Sequence, residues 1–575
     1  MARQNQDIAD TFNKMADLLE IKGENQYRIR AYRNAARTIS SLSKNVRHMA
    51  DEGEDLTKLS GIGKDLAGKI KTLIQKGSLN DLKKLEQDVP SGLAHILDVA
   101  GLGGKRVAVI HKELGIKNIE DLKQAAEEHK IRGLEGFGRK TEDKILEEIQ
   151  RVEAGSGRME LFKAESIAED LLEYLKTTKG IKDLVIAGSF RRRKETVGDL
   201  DILVTHKKGS QVMDRFVNYE GAQKTISKGG KRSSILLKQG LQVDLRAFAQ
   251  VSYGAALQYF TGSKEHSIPL RKIAVKKKYK INEYGLFRGK KRVAGKTEQS
   301  VYSTLGLKYI PPELRENNGE IEAAQQDRLP RLIELKDMRG DLQMHSTASD
   351  GHQSIKDMAN TAKKIGYDYI AITDHSQKVR VANGLNAKQL KKQIREIDKI
   401  NKELKGLTIL KSCEVDILED GSLDLPDDVL KELDIVLCSI HSKFGLSRQK
   451  QTERMIKAIR HPLSRIIAHP TGRYIKKRAP YDMDMEKVFK AAKKEGTAME
   501  INAHPERLDL KPEHARLAKD MGVKLSISTD AHSGNELNMM HYGVEQARRG
   551  WIEADDVINT RSLRDLRRFL KKSSG

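Results

Sequence analysis

Short apolar runs recur through the last third of the chain, and nearly every one ends in a residue that binds metals. "YDYIAITDH" closes on His375, "LTILKSCEVD" carries Glu414, and "LDIVLCSIH" closes on His441. "RIIAHP" delivers His469, "KLSISTDAH" delivers Asp530 and His532, and "GDLQMHSTASDG" supplies His345 and Asp350. Helix-patterned stretches such as "SIKDMANTAKKIG" and "MEKVFKAAKKEG" separate several of these runs. Few folds accept that order. Strands alternating with helices make a parallel sheet, and ligands at successive strand ends meet on one rim when the sheet closes into a β/α barrel. One histidine after a strand is ordinarily a core or loop residue, but five histidines and three acids at equivalent places are not. Mixed imidazole and carboxylate donors suit Mn²⁺, Zn²⁺ or Fe, and clustered ions of this kind activate water for attack on phosphorus. This region is expected to hydrolyse phosphoesters.

The first part of the chain carries a different repeat. "LSGIGKDLAGKI" begins at Leu59, "VAGLGGKRVAVI" at Val99 and "LEGFGRKTEDKI" at Leu134, each an apolar residue, a Gly-x-Gly turn, a cation and a helix. Glycine amides and a helix N-terminus can then point at one phosphate. The pattern resembles the helix-hairpin-helix, which grips the DNA backbone without reading bases. Gly61, Gly63, Lys64, Gly101, Gly103, Gly136 and Gly138 are its candidate DNA contacts. Lys plus Arg number 105 against 81 Asp plus Glu, a formal +24, which also favours a polyanionic partner.

Between these parts lies "GSFRRRKETVGDLDILV", residues 188 to 204. In a strand, residues i and i+2 share a face, so Asp199 and Asp201 point together while Leu200, Ile202 and Val204 face the core. Paired carboxylates call for a cation, and Asp244 in "LQVDLRAF" supplies a third acid. Three carboxylates can hold two Mg²⁺ ions, one activating a hydroxyl and one holding a triphosphate. Gly188 and Ser189 offer a phosphate-binding turn, with Arg192 as a charge clamp.

This stretch resembles the signature of family X DNA polymerases, relatives of DNA polymerase beta within the nucleotidyltransferase superfamily. The likeness continues through "LQYFTGSKEHS" and "INEYGLF". It implies that Asp199, Asp201 and Asp244 are the metal-binding catalytic triad, with Mg²⁺ or Mn²⁺. It further implies that Gly188, Ser189 and Arg192 meet the triphosphate, and that Tyr259, Phe260 and Gly262 line the nucleotide's sugar. The N-terminal helices resemble the family's lyase domain, with Lys69 at the Schiff-base position, although Asp65 and Tyr27 depart from the usual residues. Gln242 and Ser267 are further departures, beside the third acid and near the base.

"TDH", "HP" and "STDAH" resemble the PHP (polymerase and histidinol phosphatase) domain, and "EINAHPERLDL" offers Arg507 for a phosphate. The usual His-x-His opening is Gln343-Met344-His345, so one ion is expected to be held weakly. The resemblance implies a lyase-like domain over 1–88, fingers over 89–153, palm over 154–248, thumb over 249–315, a linker over 316–338 and a PHP barrel over 339–575. All-α N-terminal domains, an α/β palm and thumb, and a β/α barrel make up that fold class. The expected activity is gap-filling synthesis from dNTPs on gapped or nicked duplex DNA in base-excision repair. A 3′-5′ exonuclease using a Mn²⁺ (or Zn²⁺ or Fe) cluster accompanies it, with cleavage at abasic sites as a further expectation. The alternatives are template-independent nucleotidyl transfer, or a PHP domain that serves structure. Cys413 and Cys438 lie in apolar surroundings with no CxxC, no run has the length of a membrane span, and "MARQNQDIADTFNKMADLLE" reads as an amphipathic helix. A monomeric cytoplasmic enzyme is expected.

Overall fold

The structure, a computed structural model, describes residues 2–40, 46–51, 53–59, 61–76, 78–89, 91–96, 99, 102–153 and 158–571. The chain divides into two compact units. The first comprises Met1–Met159, Val217–Lys228 and Ser234–Val243, and the second comprises Glu160–Phe216, Gly229–Ser233 and Asp244–Gly575.

The first unit is helical through residue 153. Its opening helix, Ala2–Ile21, places Ile8, Phe12, Met15 and Leu19 at helical spacing along one face. That face joins Tyr32, Ile62, Ile70, Val107, Ile110, Ile131 and Ile149 in one apolar core, which runs through both expected N-terminal domains. The three repeats fold alike. Ile62 N–H donates to Leu59 O, Leu102 to Val99 and Phe137 to Leu134, and each turn leads into a helix. Those helices are Lys64–Lys76, Gly104–Leu114 and Arg139–Glu153. Gly61 (φ +75°) and Gly136 (φ +80°) take the left-handed conformation that the turn requires. Gly101 lies outside the described residues.

The strands, in chain order, are β1 (Met159–Glu160), β2 (Ile181–Ile186), β3 (Thr196–Val197), β4 (Asp199–His206), β5 (Ala222–Ser227), β6 (Arg232–Leu237) and β7 (Gln242–Ala247). One sheet has the order β2-β4-β7-β6-β5, with β4 antiparallel to β2. β8 (Lys280–Asn282), β9 (Gly285–Arg288) and β10 (Lys291–Ala294) form a small antiparallel sheet beyond the helices Tyr253–Thr261 and Lys264–Lys276. The connection expected as a linker is packed. Ile321 and Leu332 share a core with Leu270, Tyr302, Leu314 and Trp551, and just before them the buried Arg315 guanidinium donates to Glu298 Oε1 at 2.6 Å.

The remaining strands are β11 (Gly340–Asp341), β12 (Tyr369–Ile372), β13 (Thr408–Asp416), β14 (Ile435–Ser439), β15 (Ser464–Ile467), β16 (Ala498–Asn502) and β17 (Leu525–Ser528). They lie side by side in chain order, all parallel, and a parallel bridge between Met344 and Ala531 brings the last strand back to the first. The seven strands thus form a nearly closed barrel. Alternation sorts its side chains. Tyr369, Ala371, Leu410, Leu437 and Ile466 pack together, with Leu566 and Leu570 of the C-terminal helix among them. Ile370, Ile372 and Ile409 pack in a separate core with helix residues such as Met358 and Ile394. The helices stop where the sequence marks them: Ser354 caps Ile355–Ile365, which ends at Gly366 (φ +100°), and Asp484 caps Met485–Glu495, which ends at Gly496 (φ +64°).

Candidate active sites

In the palm sheet, Leu200, Ile202 and Val204 are fully buried, which leaves Asp199 and Asp201 on the other face of β4. Asp244 on β7 is buried as well. The acids are met by cations that sequence reading missed. Arg246 Nη2 donates to Asp244 Oδ2 at 2.7 Å and its Nε approaches Asp201 Oδ1 at 3.4 Å, while Arg232 Nη2 donates to Asp244 Oδ2 at 2.8 Å. Arg246 sits two residues beyond Asp244, so strand spacing could have found it. Burial, reinforced by the charge of Asp199, pushes the Asp201 carboxyl up to about 6. Clustered acids under that tension fit a divalent cation, which would reverse the repulsion. Gly188 (φ +64°) starts a short helical turn beside them, and a Cβ there would stand 3.5 Å from Asp201 Oδ2.

The three arginines reach three different places. Arg191 binds Glu298 through both terminal nitrogens, at 2.9 and 2.6 Å, and donates to Thr261 Oγ1 at 2.7 Å. Arg192, the expected phosphate clamp, donates to Glu316 Oε1 at 2.9 Å and to the Thr261 carbonyl. Arg193 pairs with Glu165 and Glu545, each at 2.7 Å. Tyr259 and Phe260 stand beside one another with centroids 5.1 Å apart, and the Arg246 guanidinium lies 4.6 Å from the Phe260 centroid. Gly262 (φ +65°) ends that helix, and a Cβ on it would come within 3.3 Å of Arg192 Nη1.

All eight expected ligands of the C-terminal third converge around Glu414. His469 Nε2 lies 2.8 Å from Glu414 Oε1 and His441 Nε2 3.4 Å from it, while His375 Nδ1 and His345 Nε2 lie 3.4 Å from Oε2. Asp530 Oδ1 is 3.1 Å from His345 Nε2, and Asp350 Oδ2 is 3.5 Å from both His375 Nε2 and His532 Nε2. Three overlapping groups result: His345–Asp350–His375–His532, His375–Glu414–His441 and His345–Glu414–Asp530, each with its ligand atoms within 4.8 Å of one another. Asp199, Asp201 and Asp244 do not close into such a group. The imidazoles of His345 and His375 stack at 4.6 Å. Burial works against a charged His375, yet Glu414 and Asp350 push it up to about 9; Asp350 and Asp530 do the same to His532, also to about 9.

Buried atoms without hydrogen-bond partners include His345 Nδ1, His375 Nδ1, His441 Nε2 and His469 Nδ1. Electron-pair donors left bare around a fully buried carboxylate fit metal cations. Gln343 is placed there too. Its Nε2 approaches Glu414 Oε2 at 3.3 Å and Asp530 Oδ1 at 3.2 Å, while its Oε1 is buried and unpartnered. His469 (φ +29°) and Asp530 (φ +57°) adopt left-handed backbone, sparsely populated outside glycine, at the ligand positions.

Asp416, Glu500 and Arg507 complete the centre. Asp416 Oδ1 accepts from His441 N–H at 3.0 Å and lies 3.2 Å from its Nδ1. Glu500 Oε2 accepts from His469 N–H at 2.7 Å. Arg507 is buried, with Nε 3.2 Å from Asp530 Oδ2 and its guanidinium 4.3 Å from the Tyr474 centroid. Asp416 follows Glu414 at strand spacing, a signal available in "CEVD".

In the N-terminal unit Lys69 is tied down. Its Nζ donates to Tyr32 Oη at 2.8 Å and Asp65 Oδ2 at 2.9 Å, and lies 3.1 Å from Asp81 Oδ2. Burial works against the charge, but these partners hold the ammonium well above the ordinary lysine value. Gly61, Gly63, Lys64, Gly103, Gly136 and Gly138 all fall at the turns or first helical residues of the hairpins.

Known families account for these regions one by one. A helix-hairpin-helix domain matches residues 3–79, a SAM-like helix-hairpin-helix tandem 93–151, DNA polymerase beta palm 158–251, DNA polymerase beta thumb 256–316 and PHP domain 341–504. The DNA polymerase/3′-5′ exonuclease PolX of Bacillus subtilis (strain 168) is 41% identical over 571 residues, 99% of each chain. A probable phosphatase of Thermoanaerobacter sp. (strain X514) is 35% identical over 242 residues, 39% of this chain and 92% of that protein. DNA polymerase lambda of Arabidopsis thaliana is 26% identical over 348 residues, 54% of this chain and 62% of that protein. With palm, thumb, hairpins and barrel all present in one order, the chain belongs to the family X DNA polymerases that carry a C-terminal PHP domain.

Proposed function

We infer that this enzyme fills short gaps in DNA under template direction, in base-excision repair, and trims 3′ ends with its barrel. One observation carries the reading: the chain holds two separate acid-centred sites, Asp201 and Asp244 around Arg246, and the imidazole cluster around Glu414. Mg²⁺ or Mn²⁺ bound by Asp199, Asp201 and Asp244 would supply activation of the primer 3′-hydroxyl and charge neutralisation of the triphosphate. The protein's own groups do the rest. Arg246 and Arg232 balance the buried acids between turnovers, and Tyr259 and Phe260 form a wall for the incoming sugar. Gly188 and Ser189 offer the triphosphate turn; Arg192 would exchange Glu316 for phosphate oxygens.

In the barrel, Mn²⁺ (or Zn²⁺ or Fe) held by His345, Asp350, His375, Glu414, His441, His469, Asp530 and His532 would supply a water activated against phosphorus. Arg507 beside Asp530 holds a phosphate oxygen, and Asp416 orients His441. Gln343 must turn its amide to present oxygen to a cation, so the subsite it shares with His345, Glu414 and Asp530 is the weakest. Cleavage at abasic sites would use the same centre. The partners are gapped or nicked duplex DNA and dNTPs, bound by a cytoplasmic monomer, and no described helix is long and apolar enough to cross a membrane. The domains of this reading are 1–88, 89–153, 154–248, 249–315, 316–338 and 339–575.

A separation of activities tests the reading. Asp199→Asn with Asp201→Asn should abolish extension of a gapped primer and leave Mn²⁺-dependent 3′ degradation intact, whereas His375→Ala or Asp530→Ala should do the reverse. Loss of both activities in either variant would refute two independent centres. Extension that persists without a template strand would favour terminal transfer instead.

A further inference from the structure

A loop rooted in the hydrolytic centre carries features that catalysis does not use. It begins at Ser376, directly after the ligand His375, and returns at Leu385, whose N–H donates to the His375 carbonyl at 2.7 Å. Ser376 N–H donates to the Glu414 carbonyl at 3.0 Å, so both ends of the loop's base are fixed to ligand residues. The stem is tight. A Cβ on Gly384 would stand 1.9 Å from the Ser376 carbonyl oxygen, and Asn383 takes φ +57°. Lys378 N–H donates to Asp424 Oδ2 at 2.6 Å, and Gln377 Nε2 to the Asp424 carbonyl at 3.0 Å.

At its tip the loop makes a single 3₁₀ turn, Arg380–Ala382, that leaves Val381 97% exposed. Lone surface valines need no explanation. This one follows Lys378 and Arg380, both exposed, and neither has an ion-pair partner among the described residues. A groove of about 680 Å³ runs from that tip, along Lys378, Arg380 and Val381, to Asp416 and His441 at the cluster. Unpaired cations along a path that ends at a phosphoester-cleaving centre match a chain of phosphates. An exposed apolar tip next to them matches the wedge that DNA-binding proteins press against bases.

We propose that the Ser376–Leu385 loop grips the single-stranded 3′ end of DNA: Lys378 and Arg380 bind consecutive phosphates and Val381 packs against a base near the terminus. The assignment rests on the hydrolytic reading of the barrel and adds its substrate subsite. Phosphate pairing by two cations sets the expected scale, since each such contact to a single strand contributes about 0.7 to the salt slope.

Two measurements on the full-length protein test it. Cys413 and Cys438 are fully buried, so Val381→Cys offers one accessible thiol for an environment-sensitive fluorophore. In chelator, a linear oligonucleotide should shift its emission saturably, and a circular single strand of the same composition should not. In Mn²⁺, Lys378→Ala with Arg380→Ala should raise KM for 3′ degradation roughly tenfold and lower its salt slope by about 1.4. The same variant should hydrolyse thymidine 5′-p-nitrophenyl phosphate and fill gaps at the unaltered rate. No emission response, an equal response to the circle, or unchanged KM and slope would overturn the proposal. A loop that responds in a protein that degrades no DNA would sustain the subsite and refute the hydrolytic reading.

Discussion

Lys69 shows how far a residue's chemistry can depart from its place in a motif. Its position follows from "LSGIGKDLAGKI", yet Tyr32 lies 37 residues away and Asp81 across another turn, and neither contact has a sequence signal. Together with Asp65 they keep the amine protonated, against the pull of burial, so the neutral nucleophile that a Schiff base requires is suppressed. Borohydride treatment on abasic DNA at pH 7 to 8 should therefore trap no adduct through Lys69, and Lys69→Ala should leave the trapped yield unchanged. An adduct lost on that substitution would show a free amine. The arginine triplet makes a similar point: three identical neighbours in the sequence take three sets of partners set by tertiary contacts alone.

At the scale of elements, the barrel was the most legible part. Strand-sized apolar runs ending in ligands specify both the parallel order and the rim where the ligands meet; β12 through β15 and β17 occur in those runs, whereas β16, which ends in no ligand, does not. The hairpins were legible for a related reason, since a glycine turn and a following helix are local. What stayed hidden were groups whose meaning depends on a neighbouring strand: Arg246 against Asp201, Glu500 beneath His469, and Asp416 behind His441. Asp416 is the clearest test of such a supporting contact, because it touches one ligand through both backbone and ring. Asp416→Asn should lower metal affinity and 3′ degradation by about 10- to 100-fold, while gap filling stays at the wild-type rate. Metal titration followed by calorimetry reads the first effect without any turnover; wild-type affinity would leave Asp416 without a supporting part.

Within the second unit, the turn just before β3, four residues short of Asp199, is tied to the barrel by charge. Arg473 is buried and binds Glu195 through both terminal nitrogens, at 2.9 and 2.8 Å, and also donates to the Leu508 carbonyl. Gln546 Nε2 donates to the same carboxylate at 3.0 Å and to Leu508 O at 3.0 Å, next to Arg507 of the hydrolytic centre. Arg193 with Glu545, and Arg548 with Glu313, add further ties. Burial alone would raise the Glu195 carboxyl, but the Arg473 guanidinium overrides it and holds the group down at about 2. A carboxylate depressed in the folded state stabilises that state above its unfolded value of 4.5, and the contribution is lost as pH falls from there through about 2. The shift corresponds to about 3 kcal/mol, close to the cost of removing one partner from a buried pair. Glu195→Gln should then lower stability by roughly that amount at pH 7, by denaturant unfolding, with the difference from wild type closing between pH 4.5 and pH 2. Because Leu508 shares the Arg473 and Gln546 contacts, the same substitution should lower 3′ degradation in the folded protein by moving Arg507 away from Asp530. A stability difference that persists unchanged to pH 2 would place the charge of Glu195 outside the domain junction.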